Sequence, residues 1–317
     1  MKKYIIRRLL HMIPVMLLLS MIVFSLLRLL PGDPIFALIG EESEGLTPEL
    51  KTQLRHQLGL DRPVPVQYAL WLGDVFQGDW GRSMLTKRPV SSEVFNRLAF
   101  TFQLGILAWV FSLVIALPAG VISAVKRNSP ADIVVTLISI VGIAVPHFWL
   151  GMMLILTFGV FWPILPTHGA VSLLDNPAQG LRHLVLPIIT LGLGLAAINM
   201  RQTRSAMLEV LREDYIRTAR AKGLQERAVI WIHAIKNALL PVVTVAGLQF
   251  GRIFGGAVIT ETIFSLPGVG RLAVESVLGR DYTMVQMSVM VMGLAVLIAN
   301  LVTDLTYAYL DPRIRYG

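Results

Sequence analysis

The sequence has no cysteine and few charged residues. Charged side chains make up 15% of its 317 residues, and hydrophobic side chains make up 55%. Without cysteine the chain forms no disulfide, no thiolate nucleophile and no cysteine-ligated metal site. The low charge and the apolar excess argue against an ordinary soluble globular protein and predict a membrane protein.

Motifs for nucleotide binding and hydrolysis are also missing. The sequence contains no G-x-x-x-x-G-K-[ST] loop to hold ATP phosphates, no H-E-x-x-H and no G-x-S-x-G. The run from Gly192 to Ala197 fits G-x-G-x-x-A, but it lies in an apolar segment with no preceding strand, which favours helix packing. The six histidines show no metal-ligand spacing. We therefore expect no catalytic residue, no metal and no cofactor in this chain, which is predicted not to be an enzyme.

Basic residues outnumber acidic ones, and the formal net charge is +8. Such a charge can indicate nucleic-acid binding. Here the basic residues flank apolar runs, where the positive-inside bias of membrane proteins accounts for them. We therefore expect contact with membrane lipid and none with nucleic acid.

The apolar runs predict six transmembrane helices. A run of about 20 apolar residues is long enough to cross a bilayer. The first run follows four basic residues and is too long for the apolar part of a signal peptide, so we expect it to be an uncleaved helix. The third run is expected to end its crossing near Phe161. The predicted spans cover about 9–27, 98–125, 133–161, 184–200, 237–260 and 285–310.

Length and charge divide the chain into three parts. Residues 1–30 hold the N-terminus and the first span, residues 31–97 form a polar region, and residues 98–317 form a five-helix core with a loop at 201–236. The polar region is too long for a simple connector. Because most of the basic residues outside the polar region gather beside the N-terminus and in the loop, we expect both termini and the loop to lie in the cytoplasm.

A polar, basic stretch at 213–241 lies between two of the apolar runs. We predict two short helices separated at Gly223, because glycine tolerates a positive φ at no steric cost. A polar helix pair between two membrane spans indicates a surface that docks on another protein. Residues recur at helical spacing before the glycine (Tyr215, Thr218, Ala219 and Lys222) and form an apolar stripe after it (Val229, Ile232 and Ile235).

The same stretch resembles the cytoplasmic loop of permease subunits in ATP-binding cassette (ABC) importers. The general signature of that loop is Glu-Ala-Ala, three residues, Gly, nine residues and Ile-x-Leu-Pro, and only Ala219 and Gly223 fit it. The form of the oligopeptide/dipeptide branch fits much better. Its Asp-Tyr-x-Arg-Thr-Ala-Arg-Ala-Lys-Gly and its His-Ala-x-x-Asn-Ala-x-x-Pro are complete between Asp214 and Pro241. Residues 31–34 and 261–271 also resemble that branch, so the resemblance covers nearly the whole chain.

This resemblance implies an all-α, type I-like permease of six helices with cytoplasmic coupling helices, in the bacterial inner membrane. It would move peptides or similar small solutes from the periplasm to the cytoplasm by alternating access. It would form a pore with a second, related permease, and two ABC ATPase subunits would bind ATP and Mg. A periplasmic solute-binding protein would deliver the substrate, and residues 31–97 would lie in the periplasm.

Other interpretations remain open at this point. A related permease could carry a non-peptide solute such as a nickel complex or glutathione. An ATP-independent secondary transporter would not require the loop, and an intramembrane enzyme would need a catalytic constellation that is not evident. A helix is predicted from Thr47 to Gly59, which either packs on its own region or forms part of a docking surface for the binding protein.

Three sets of residues are candidates for function. The resemblance assigns the first set to coupling with the ATPases: Asp214, Tyr215, Arg217, Thr218, Ala219, Arg220, Lys222, Gly223, His233 and Asn237. Small residues four apart predict close helix packing in the second set: Gly247, Gly251 and Gly255. Polar residues within spans usually face a bundle interior or a water path, which makes the third set candidates for the substrate pathway: Gln249, Arg252, Asn300 and Asp304. Arg252 and Asp304 differ in predicted depth by roughly 16 Å, so we do not expect them to pair.

Overall fold

The computed structural model describes residues 2–29 and 61–310, with Thr47, Leu50, Thr52, Gln53 and His56 between those stretches. The helix predicted at 47–59 and the 31–34 motif therefore lie largely outside the described residues. Over the described residues the chain is helical, and its one β-bridge is isolated. The helices are α1 Lys2–Leu29, α2 Val64–Phe76, α3 Val90–Val125, α4 Pro130–Ala144, α5 His147–Ile155, α6 Pro177–Val210, α7 Asp214–Ala221, α8 Ile235–Ile263, α9 Val269–Leu278 and α10 Tyr282–Leu310.

Five long apolar segments and one bent pair account for the six predicted spans. The segments contain α1, α3, α6, α8 and α10, and the pair consists of α4 with α5 and the π-helical turn Leu156–Phe161 that follows it. The pair bends by 104°, so the third span is broken where the sequence predicted one crossing. Pro146 explains the break, because proline lacks an N–H and drives the preceding Val145 into an extended conformation (ψ 124°).

The start of α1, the end of α10 and the start of α8 lie at one end of the bundle. Arg8 in α1 forms an ion pair with Asp304 in the last turns of α10, with 3.0 Å between Nη1 and Oδ2. One residue earlier, Thr303 donates a hydrogen bond to the carbonyl oxygen of Gly247 in the middle of α8 (2.9 Å). Gly251, one turn later in α8, lies against Asn300, so α8 and α10 are antiparallel and α8 begins at this end. We call this end, which also carries α7, the loop end, and the opposite end the far end.

Small residues allow α3 and α6 to contact each other along their lengths. A Cβ added to Gly120 in α3 would lie 2.5 Å from the Cβ of Thr203 in α6. A Cβ added to Gly192 in α6 would lie 2.8 Å from the carbonyl oxygen of Ala108 in α3. Gly192 therefore packs helices together, as predicted for the G-x-G-x-x-A run.

An ion pair between half-buried Arg204 and buried Asp132 at the loop end joins α3, α4 and α6. Arg204 in α6 donates two hydrogen bonds to Asp132 in α4, Nε to Oδ1 at 2.7 Å and Nη2 to Oδ2 at 2.9 Å. Asp132 also accepts from the hydroxyl of Ser123 at the end of α3 (2.5 Å) and from the backbone N–H of Asn128 in the connecting turn (2.9 Å). One carboxylate therefore holds three helices at this end of the bundle.

The contact between α3 and α6 predicts how two glycine substitutions will differ. Gly120→Ala should destabilise the protein, because overpacking a tight contact costs about 1–3 kcal/mol. Gly73→Ala in α2 is the matched control: a Cβ there meets nothing within 4 Å, and alanine in a helix is favoured over glycine by roughly 0.5–1 kcal/mol. Thermal unfolding in detergent should show a lower Tm for Gly120→Ala and an equal or higher Tm for Gly73→Ala. Equal Tm values for both variants would contradict the close contact.

Candidate functional site

The connection between α6 and α8 carries the short amphipathic helix α7. Ile216 and Ala219 are buried, three residues apart, and the other six residues of α7 are exposed. The two buried side chains belong to an apolar cluster that includes the loop-end turns of three membrane helices, so α7 lies against this end of the bundle. The cluster members on α3, α6 and α8 are Val121, Ala124, Ala206, Met207, Ala238 and Val242.

Gly223 ends this helical segment at the position where the sequence predicted a break. Its φ is +77°, and a Cβ added to it would meet nothing within 4 Å, so the backbone conformation alone favours glycine. Arg220 closes the turn by donating to both oxygens of Glu226, from Nη2 at 2.6 Å and from Nε at 3.1 Å. These hydrogen bonds to a carboxylate raise the pKa of the Arg220 guanidinium above its ordinary value.

Other candidate residues of the loop are brought together around α7. Asn237 in α8 donates a hydrogen bond from Nδ2 to the hydroxyl oxygen of Tyr215 (2.7 Å), which ties α7 to the start of α8. Asp214 pairs with Arg217 at 2.8 Å, and its carbonyl oxygen accepts from the hydroxyl of Thr218 at 2.9 Å. The side chains of Lys222 and His233 are exposed and form no hydrogen bond or ion pair with the described residues.

The prediction that Ile232 belongs to an apolar stripe after Gly223 is wrong. Residues Glu226–Ala228 form one short helical turn, and Val229–Ala234 continue it as a π-helix that leads into α8. Hydrogen bonds in a π-helix join residues five apart, so side chains five apart share a face. Val229, Ile230 and Ala234 are therefore buried, whereas Ile232 is 54% exposed.

Large apolar side chains remain exposed on the outside of this connection. Exposed apolar side chains with a rim of polar or charged residues are typical of a protein interface. The sequence reasoning missed Leu224 and Trp231, although large apolar side chains in a polar loop were a signal. We call the exposed side chains of residues 214–237 the loop surface. Its apolar members are Tyr215, Leu224, Trp231 and Ile232, which are 40–54% exposed, and the basic residues around them include Arg217, Lys222, Arg227 and Lys236.

A second exposed surface runs along α8. Leu248, Arg252, Gly255 and Ile259 are exposed and follow one another at intervals of four, three and four residues. That spacing places them on one side of the helix. No described residue forms a hydrogen bond or an ion pair with the Arg252 side chain. We call this set the open face of α8.

Two of the three glycines predicted to pack helices lie against α10. A Cβ on Gly247 would lie 2.5 Å from Cγ2 of Thr303, and a Cβ on Gly251 would lie 2.5 Å from Oδ1 of Asn300. Gly255 differs, because a Cβ there would meet nothing within 4 Å. Each four-residue step turns the side chain by about 40°, so Gly255 lies on the open face. Gly255 therefore packs against no other helix among the described residues, and the packing predicted at this position stays a prediction.

The polar residues expected along the substrate pathway do not all share one surface. Gln249 is buried, and neither its amide nitrogen nor its amide oxygen has a hydrogen-bond partner in the described part of the chain. Asp304 forms the ion pair with Arg8 and not with Arg252, as the difference in predicted depth required. Only Arg252 and Asn300 are exposed. In this conformation Gln249 therefore faces the bundle interior and does not line an open surface.

The sequence matches two family descriptions that together span nearly all of it. Residues 116–316 match "Binding-protein-dependent transport system inner membrane component". Residues 1–105 match the N-terminal part of the same kind of membrane component.

Curated relatives resemble the chain over its full length. The dipeptide transport system permease protein DppB of Escherichia coli K12 is 42% identical, covering 100% of this chain and 99% of the relative. The protein of the same name from Alkalihalophilus pseudofirmus is 41% identical over 99% of each. The glutathione transport system permease protein GsiC of E. coli K12 is 42% identical over 100% of each.

Solved structures share the fold at low sequence identity. A chain of the MetNI methionine ABC transporter in an inward-facing conformation has a TM-score of 0.57 and 19% identity, covering 69% of this chain and 96% of that one. A chain of an amino acid ABC transporter crystallised with histidines has a TM-score of 0.52 and 14% identity, covering 69% and 94%. From these matches, the chain belongs to the family of binding-protein-dependent transport system inner membrane components.

Proposed function

We propose that this chain is one permease subunit of an ATP-driven importer that moves small peptides from the periplasm to the cytoplasm by alternating access. The loop surface carries the proposal, because its exposed residues stand on an element whose buried side contacts three membrane helices. The relatives transport dipeptides and glutathione at equal similarity to this chain. Both are peptides, so the relatives do not favour a nickel complex or an ATP-independent transporter.

The loop surface is proposed to bind an ATPase subunit. Two such subunits would bind ATP and Mg, and the permease would take no chemical step. ATP can shift the permease between two conformations only by a difference in its interaction free energy with them. A loop whose buried side chains share one apolar cluster with the ends of α3, α6 and α8 is placed to transmit that difference to those helices.

The open face of α8 is proposed to meet the second permease or the pathway between the two permeases. An unpaired arginine among apolar residues is costly in lipid, so such side chains usually face protein or water. The solute-binding protein is proposed to dock at the far end. This arrangement places the loop end, and with it both termini, in the cytoplasm of a bacterial inner membrane.

Replacing Gly223 tests the ATPase-docking role of the loop. A β-branched residue disfavours the left-handed backbone conformation at φ +77° by about 1–2 kcal/mol. Gly223→Val should therefore distort the loop surface and reduce ATP-driven uptake at least about fivefold, the low end of the range for coupling free energies. Uptake and ATP hydrolysis would be measured with the purified complex in proteoliposomes, after the level of inserted protein has been matched to wild type.

Gly78→Val is the matched control for that substitution. Gly78 follows α2, has a φ of +86° and leaves open space for a Cβ, so it carries the same backbone strain away from the loop. We expect near wild-type uptake from this variant. Wild-type coupling in Gly223→Val, or an equal loss in both variants, would contradict the proposed role of the loop.

The orientation in the membrane can be tested with single cysteines, because the natural chain has none. Leu174, at the far end, is 95% exposed, and Lys222 lies on the loop surface. A membrane-impermeant maleimide added to cells with an intact inner membrane should label Leu174→Cys. It should label Lys222→Cys only after that membrane is opened. The reverse pattern would invert the topology and exclude import as proposed.

Two substitutions of Arg252 distinguish a role for its charge in the substrate pathway from a purely structural role. Arg252→Lys keeps the charge but loses the planar fork, and Arg252→Gln keeps some hydrogen bonding but loses the charge. If a peptide carboxylate meets this side chain, the lysine variant should transport well. The glutamine variant should be at least about tenfold slower, since a hydrogen bond to a charged group contributes about 1.5–3 kcal/mol.

Initial uptake rates would be compared for Arg252 variants whose complexes have equal Tm values in detergent. Wild-type uptake by Arg252→Gln, or dissociation of both variant complexes, would exclude the pathway role. Leu248→Ala on the same open face is the control for lost contact area without lost charge.

A further inference from the structure

Glu261, in the last turn of α8 at the far end, is fully buried, with 0% of its surface exposed. One carboxylate oxygen accepts a hydrogen bond from the hydroxyl of Thr101 in α3 (2.7 Å). The other accepts from the backbone N–H of Arg271 in the first turn of α9 (3.1 Å). The Thr101 oxygen also accepts from the backbone N–H of Val269, the first residue of α9 (3.0 Å). We call these four residues the far-end clamp.

Glycines before and within α9 let the helix start directly on this carboxylate. A Cβ added to Gly268 would overlap the Glu261 carboxylate. A Cβ added to Gly270 would lie 2.8 Å from Oε2 of Glu261 and 2.6 Å from the Cα of Val258 in α8. A longer side chain at either position would push α9 away from α8.

The clamp makes the position of α9 depend on α8. The first N–H groups of a helix have no partner within it, and the start of a helix favours negative charge. In α9 the N–H groups of Val269 and Arg271 donate to Thr101 of α3 and Glu261 of α8 instead of to water. Removing one partner of a buried charged group is costly, because the other groups stay buried without a hydrogen bond. α9 therefore cannot leave α8 and α3 without losing the hydrogen bonds of Arg271 to Glu261 and of Val269 to Thr101.

The same helix reaches the loop surface at its other end. α8 has 29 residues, which corresponds to about 43 Å at 1.5 Å per residue. Ala238 and Val242 near its start belong to the apolar cluster under α7. At the far end α9 exposes Val277 and Leu278, which are 57% and 80% exposed. One helix therefore connects the apolar cluster under α7 with the carboxylate under α9.

We propose that Glu261 is a positioning residue that fixes α9 to α8, so that docking of the binding protein at the far end controls ATP hydrolysis at the loop surface. The proposal rests on the function proposed above and deepens it. It assigns to one buried carboxylate the link between the outer partner and α8. The effect of Glu261 on hydrolysis is indirect, through the position of α9.

Glu261→Gln tests this link in the complete complex reconstituted in nanodiscs. The amide keeps the size of the side chain, but its NH₂ group cannot accept a hydrogen bond, so the Thr101 hydroxyl or the Arg271 N–H loses its acceptor. The measured quantity is the ratio of ATPase rates with and without saturating, substrate-loaded binding protein. We expect that ratio to fall at least about fivefold towards 1, the low end of the range for coupling free energies. The rate without binding protein should stay near wild type.

Asp281→Asn is the matched control. Asp281 is a second buried carboxylate at the far end, and it accepts from the Ser83 hydroxyl and from the backbone N–H of Met284 in α10 (3.2 Å). Among the described residues its carboxylate accepts no hydrogen bond from α9 and serves the start of α10 instead. If each substitution only loosens the far end, Asp281→Asn and Glu261→Gln should lower the Tm and the ATPase ratio by similar amounts.

The proposal is supported if the ATPase ratio falls towards 1 in Glu261→Gln but stays at the wild-type value in Asp281→Asn, with equal Tm values for the two variants. A wild-type ATPase ratio in Glu261→Gln overturns the proposal, and so does an equal fall of the ratio in both variants. If Glu261→Gln fails to assemble, Thr101→Val takes its place, because it removes the hydroxyl of the clamp and leaves the carboxylate. The ATPase ratio of Thr101→Val is then compared with that of wild type, and a fall towards 1 supports the proposal. If the wild-type complex shows no stimulation by a binding protein, the proposed function itself fails.

Discussion

The close contact between α3 and α6 is the constraint on which the rest of the structure depends. In a membrane the helices gain little from hydrophobic burial against one another, so they associate through van der Waals packing and hydrogen bonds that need a close approach. Gly120 and Gly192 permit that approach at two levels of the bundle. At the loop end the Asp132–Arg204 pair holds the same two helices and α4. The position of α7 follows from this contact, because its seat includes the ends of both helices.

The helix α8 connects the functional surfaces of the molecule. Its start belongs to the cluster under α7, its middle packs Gly247 and Gly251 against α10, and its last turn carries Glu261 under α9. Among the described residues nothing packs on Gly255 of its open face, and none forms a hydrogen bond or an ion pair with the Arg252 side chain. A single helix with a fixed contact at each end and a free side between them is suited to transmit motion past a pathway. Under the function proposed above, this arrangement would let one subunit respond to partners on both sides of the membrane.

Much of the fold could be predicted from local sequence. Five apolar runs became long helices, because in a membrane only helices or closed barrels satisfy every backbone hydrogen bond. The break at Gly223 followed from the backbone freedom of glycine. The exposure of Ile232 could not be predicted, because the π-helical turn depends on how Val229 and Ile230 pack under the loop. The bend at Pro146 had a visible proline, but its 104° angle comes from the packing of α4 and α5 on α6.

The candidate site divides in the same way. The sequence by itself determined the membrane class, five of the six spans, the polar loop with its glycine and the family resemblance, because each depends on residue types at short spacing along the chain. Only the tertiary structure decided that Asp304 pairs with Arg8, that Gln249 is buried, that Gly255 faces outward and that Glu261 meets Thr101. These contacts join side chains on different helices, 160 residues apart in the case of Glu261 and Thr101. The physical reason is that helical periodicity fixes which residues share a face, whereas the rotation and register of each helix against its neighbours are set by packing of the whole bundle.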